Sequence, residues 1–175
     1  MKTIIYLLLA SVILLASCGK EKKFDESLKV AYQKMGKTTL ISTLVASQIS
    51  DTWRTAIFDN KTPSGKYCSD FNEALSELMN TYHESGIMDS VAKYKEEMLT
   101  ATSKLNNPPS ARKDCYDDFV AIVGEVSSLS RLATDPSGNL RSYSDQLNET
   151  AENISKKIDQ FKIKYSEFIN DDEPK

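Results

Sequence analysis

The chain has 175 residues, 40% hydrophobic and 27% charged, with only 6 Gly and 5 Pro. That composition fits one globular domain and excludes collagenous or low-complexity architectures. A net charge of −3 excludes the basic footprint of a nucleic-acid binder, and one histidine with three cysteines excludes a His-built metal site or a dense disulfide scaffold.

The first element in chain order is an address. Lys2 precedes an apolar run, Ile4 to Ala16, interrupted by Ser11. It is too short to span a hydrocarbon core of about 30 Å, which takes roughly 20 helical residues, and matches the h-region of a signal peptide. It ends in Leu15-Ala16-Ser17-Cys18, followed by Gly19. This closely resembles the lipobox of bacterial lipoprotein precursors. The resemblance implies cleavage of residues 1–17, a thioether-linked diacylglycerol on the Cys18 sulfur and a fatty acid such as palmitate on its amine. It implies a lipid-anchored, exported protein on the cell membrane or outer membrane, facing the periplasm or the outside. Residues 18–23 then form a short lipidated tether. Its Lys20, Lys22 and Lys23 have two readings: each adds about 1 kcal/mol against anionic headgroups, or they are a solvated spacer.

A helical pattern begins at Phe24 or Asp25, and three breaker clusters divide the chain beyond it. These are Thr62-Pro63-Ser64-Gly65, Asn106-Asn107-Pro108-Pro109 and Asp135-Pro136-Ser137-Gly138. The first segment carries Leu28, Tyr32, Met35, Ile41, Val45, Ile49, Trp53 and Ile57 at helical spacing. The second has Phe71, Leu75, Leu78 and Tyr82, loses phase near Gly86, and resumes with Met88, Val91, Met98 and Leu105. The third gives Cys115, Phe119, Ile122, Val126, Leu129 and Leu132. The fourth is the most regular, running Leu140, Tyr143, Leu147, Ala151, Ile154, Ile158, Phe161, Tyr165 and Phe168. No apolar alternation or hairpin signal argues for strands. The expectation is an all-α domain over 24–170, an antiparallel bundle of four long helices, with 171–175 a disordered tail.

Gly86 decides whether the second helix is continuous or broken, and the cysteines bear on it. Once Cys18 is lipidated, Cys68 and Cys115 remain as an even pair in an exported chain, the arrangement that invites a disulfide. One helix from Cys68 to Lys104 would be about 55 Å long, whereas a disulfide needs Cα atoms within about 7 Å. Bridging therefore requires a fold-back near Gly86. The favoured expectation is an unbroken or merely kinked helix with two unbridged, buried thiols.

No catalytic constellation emerges from the residues, so the chain is expected to be no enzyme and to need no cofactor. His83 is the only histidine, so any Ser-His-Asp or Cys-His arrangement must use it, and a helix-surface role accounts for it. The Glu-x-x-His pairs of di-iron bundles are absent, because Asn80 stands three before His83. Gly36-Lys37-Thr38 resembles the end of a P-loop, but Ala31 occupies the position of the required glycine. Asp114, Asp117 and Asp118 suit the positive end of a helix dipole better than a metal. The chain is similar to small uncharacterised helical lipoproteins of bacteria, a resemblance that implies no particular activity. The expected function is a membrane-anchored, non-catalytic helical interaction module of the cell envelope, with a protein partner and no nucleic acid. The alternative is a small-ligand or metal-binding bundle accessory to uptake, for which Ser42, Thr39 and Asn153 on the apolar seam are the only hints.

Overall fold

The computed structural model describes the backbone of residues 2–169 and the side chains of 19–169. The expected signal peptide, the lipobox side chains including Cys18, and the tail 171–175 lie outside the described side chains. Among the described residues the protein is all-helical, with no strand beyond an isolated bridge between Lys61 and Tyr67. It contains five packed α-helices: α1 (Lys2–Asp59), α2 (Phe71–Glu84), α3 (Ile87–Ser103), α4 (Lys113–Thr134) and α5 (Leu140–Ile169). A 3-10 turn at Ser110–Arg112 leads into α4.

α1 is the axis, in contact with each of the other four helices, while α3 packs on α4 and α4 on α5. The reason lies in its face. Leu28, Ala31 and Met35, then Val45, Ile49 and Trp53, recur at three- and four-residue steps and are all buried in one core. Phe119, Ile122, Val126 and Leu129 of α4, with Tyr143, Ile154 and Phe161 of α5, close that core from the other side. Each seam read from the sequence is thus largely inside. Ile57 at the end of α1 and Phe71 at the start of α2 are the exceptions, both exposed.

The gap in the α1 seam between Met35 and Val45 is filled by polar groups. Thr38 and Ser42 are fully buried. The Thr38 hydroxyl donates to the Lys34 and Tyr94 carbonyls, both at 2.9 Å. Ser42 Oγ meets Ser130 Oγ at 2.9 Å, and the Tyr143 hydroxyl donates to the Leu132 and Ala46 carbonyls at 3.0 and 3.3 Å. Burying a hydroxyl is tolerable only when it is bonded, and these bonds join α1 to α3, α4 and α5.

The second segment departs from the favoured continuous helix: α2 and α3 are separate. Ser85 and Gly86 end α2, their amides donating to the Thr81 and His83 carbonyls. Gly86 adopts a left-handed φ of 74°. Glycine enters that region without the penalty a side chain incurs, so a residue that costs about 1 kcal/mol inside a helix becomes the natural place to break one. α2 also starts at Phe71 rather than Cys68, because Asp70 caps it by accepting from the Asn72 amide at 2.9 Å. α5 begins with a reciprocal cap. Asn139 Oδ1 accepts from the Ser142 amide at 3.0 Å, while Ser142 Oγ accepts from the Asn139 amide at 3.1 Å.

A second departure concerns the tether. Gly19 to Lys23 are helical and continuous with the rest of α1, so the helix does not start at Phe24.

Candidate functional site

The functional candidates of this molecule lie along the Gly19–Ser27 stretch of α1 and at its C-terminal end. At the Gly19 end, helix geometry sorts an alternating stretch of charge. Glu21 and Asp25, four residues apart, share one face of α1 and meet Arg112. The Arg112 guanidinium donates from Nε to Asp25 Oδ1 at 2.8 Å and from Nη2 to Asp25 Oδ2 at 3.1 Å, with Glu21 Oε2 at 3.7 Å. Its Cζ lies 4.1 Å from the centroid of the Phe168 ring. One side chain thereby ties α1, the entry to α4 and the end of α5 together. The hydrogen bond to Asp25 holds the guanidinium even above its ordinary pKa. α5 departs locally from helix at Tyr165 (φ −132°, ψ 25°). There the Tyr165 hydroxyl donates to Asp118 Oδ2 at 3.0 Å, and the residue's burial together with that carboxylate pushes it up to about 12.

Lys20 and Lys23 fall on a different face. With Lys104 and Asn106 of the α3–α4 linker they line a groove of about 300 Å³, whose apolar lining includes Phe24 and Leu105. Among the described residues, no carboxylate lines that groove.

At the far end of α1 the chain forms a compact knob. Asn60 turns the chain at φ 52°, the Thr62 amide donates to the Lys66 carbonyl at 2.8 Å, and the Gly65 amide donates to the Thr62 carbonyl at 2.9 Å. The Cys68 amide donates to the Asn60 carbonyl at 2.9 Å. Glu77 of α2 clamps the turn by accepting from the Ser64 amide at 2.8 Å, and hydrogen bonding by the Ser64 side chain first, then by that amide, holds its carboxyl below the usual carboxylate range. Around this ordered turn, large apolar side chains stand in solvent: Tyr67 is 76% exposed, Phe58 69%, and Ile57 and Phe71 are also exposed. The Phe71 ring touches Trp53 at 5.8 Å between centroids, fixing α2 against α1.

The other residues singled out from sequence are dispersed. Cys68 and Cys115 are both buried and unbridged. Cys68 packs with Ala56 and Ala74 beneath the knob, whereas Cys115 belongs to the main core, so the break at Gly86 does not bring them into one cluster. Burial raises the Cys68 thiol, with Glu73, Asp70 and Glu77 adding to it, and pushes the Cys115 thiol up to about 12. His83 is exposed on α2. Asp114 lies in the first turn of α4, and Asp118 is engaged by Lys164 and Tyr165, both at 3.0 Å. Among the described residues no group of His, Cys, Asp or Glu is arranged to hold a metal ion. Ser42 is bonded to Ser130, and the Thr39 hydroxyl donates to the Met35 carbonyl at 2.9 Å. Asn153 is half-buried on α5. These three do not converge. Every fully buried side-chain nitrogen and oxygen among the described residues has a partner.

Sequence reasoning missed Lys104, Arg112, Phe58 and Tyr67. Lys104 and Arg112 flank the breaker residues between the second and third segments and gain meaning only from the groups opposite them. Phe58 directly follows a residue counted in the seam, and the expected burial of Ile57 hid it. No family model matches the chain, no curated protein matches it in sequence, and no solved structure matches it in fold. Among the described residues, no helix is long and apolar enough to cross a membrane.

Proposed function

We propose that this chain is a bacterial lipoprotein, anchored through Cys18, whose helical domain is a non-catalytic interaction module of the cell envelope. In this reading the helices run as an antiparallel bundle in which α2 and α3 together occupy one of four positions. The observation that carries the proposal is the exposed apolar knob. From Gly19 to Phe58, α1 covers about 58 Å at 1.5 Å per residue, so Phe58 and Tyr67 stand far from the anchor. Large apolar groups held in solvent by an ordered, hydrogen-bonded turn are costly for a monomer and suit capture by a partner. The turn bonded to Glu77 and the Phe71–Trp53 contact limit what binding must order, which favours affinity.

The experiment has two arms. Labelled palmitate supplied to cells is incorporated by the intact chain and lost on Cys18→Ala; incorporation that survives this change overturns the anchor. A photo-cross-linking residue in place of Tyr67 captures one abundant protein in intact cells, and the same residue in place of His83 does not. Equal capture from both positions, or none from Tyr67 where the protein is abundant, overturns the interaction surface.

A further inference from the structure

We propose that the groove formed by Lys20, Lys23 and Lys104 binds the phosphate of an anionic phospholipid headgroup in the membrane that holds the anchor. The inference deepens the anchored reading above and rests on it. Its first support is charge segregation. The chain is acidic overall, yet three lysines share this groove with no carboxylate among the described residues of its lining. Their side chains make no ion pair among the described residues.

The second support is why the acids are missing. Lys20 and Lys23, three residues apart, and Ser27 share the groove side of α1. Glu21 lies one and two residues from Lys20 and Lys23, and Asp25 lies five and two, spacings that put both carboxylates on another helix face, where Arg112 meets them. Glu26 does not line this groove but borders Lys104 in the adjoining furrow.

The third support is depth and chemistry. Lys20 is two residues beyond Cys18, about 3 Å along the helix, and the headgroup layer beside a hydrocarbon core is about 5–7 Å thick. A lipid-linked Cys18 would set the groove at the level of the phosphates. Asn106 adds a neutral donor. Its Oδ1 accepts from the Tyr116 hydroxyl at 2.9 Å, which leaves its amide hydrogens for the groove. Lysine binds phosphate as a point charge, and a lysine at an anionic surface adds about a fivefold gain in partition.

The test is an amine-reactivity footprint, read by mass spectrometry, on the full chain reconstituted into vesicles. Phosphatidylcholine vesicles are compared with vesicles that also contain phosphatidylglycerol, with Lys61 at the far end as internal reference. The expected result is that Lys104 is labelled at least threefold more slowly with phosphatidylglycerol present. The protection disappears in the Lys20→Gln/Lys23→Gln variant, both exposed positions. Equal labelling of Lys104 in the two compositions overturns the proposal. So does full protection by inorganic phosphate without vesicles, which would make the ligand a soluble anion. Failure of the anchor is read separately, as a chain that does not float with neutral vesicles, while the Lys104 comparison still reports on the groove.

Discussion

Replacing Arg112 with alanine removes a side chain that joins α1, the start of α4 and the end of α5. Its two bonds to Asp25, at 2.8 and 3.1 Å, are charge-assisted and bidentate, and the arginine side chain is only 17% exposed. Such a pair contributes about 1.5–2 kcal/mol after solvent screening. The stacking on Phe168 adds about 0.5–1 kcal/mol at a partly exposed site, and Glu21 at 3.7 Å adds less than about 0.5 kcal/mol. The sum is a loss of about 2–3 kcal/mol. With a urea slope of about 2 kcal/mol/M for a domain of this size, the unfolding midpoint falls by about 1–1.5 M. Arg112→Lys keeps the charge but neither the fork nor the planar stack, and recovers less than half of the loss. A double-mutant cycle with Asp25→Ala returns a coupling of about 1.5 kcal/mol. A midpoint shift below about 0.3 M for Arg112→Ala, or a lysine variant as stable as the parent, would refute the clamp.

Further outcomes rest on single features. Gly86→Ala destabilises by about 1–2 kcal/mol, because the left-handed φ of 74° penalises a side chain; no atom lies within 4 Å of the added carbon, so the cost is backbone alone. A continuous helix would instead be stabilised by about 1 kcal/mol, so the sign of the change in thermal midpoint decides between them. Thr38→Val costs about 1 kcal/mol by removing the bond from α1 to the Tyr94 carbonyl, and Thr38→Ser restores most of it in urea denaturation. Glu77, depressed by its bonds to Ser64, stabilises the knob above pH 4.5 and loses that contribution as pH falls through its lowered pKa. The Ser64 amide shift in NMR should therefore titrate below 4.5 and go flat in Glu77→Gln; a midpoint at or above 4.5 contradicts the clamp on the turn. At pH 9, where an ordinary cysteine is half ionised, buried Cys115 with its pKa near 12 resists a thiol reagent in the native chain and reacts on unfolding. Because the folded thiol holds its proton to higher pH than the unfolded one, stability declines as pH rises above 9. Rapid native labelling would show that Cys115 is open to solvent.

Much of the fold is set by local pattern. The steps Cys115-Phe119-Ile122-Val126-Leu129-Leu132 place every one of those residues in the core of α4, because a single apolar stripe can be buried only by a helix of period 3.6. Clusters such as Thr62-Pro63-Ser64-Gly65 end helices wherever the chain is, since their backbone preferences are intrinsic. The all-helical class and the breaker positions were therefore legible from residues alone. What tertiary structure decided is where two distant segments meet. Gly86 is compatible with a kink or a break until α2 and α3 each find their own contacts with α1. Thr38 and Ser42 read as a gap in a seam until Tyr94 and Ser130 supply their partners. The basic groove and the Arg112 clamp are the clearest case. Lys20, Glu21, Lys23 and Asp25 are mixed charges in sequence, and only a helix facing Lys104 on one side and Arg112 on the other separates them into two environments. Periodicity is a property of neighbours along the chain; electrostatic environment is a property of neighbours in space.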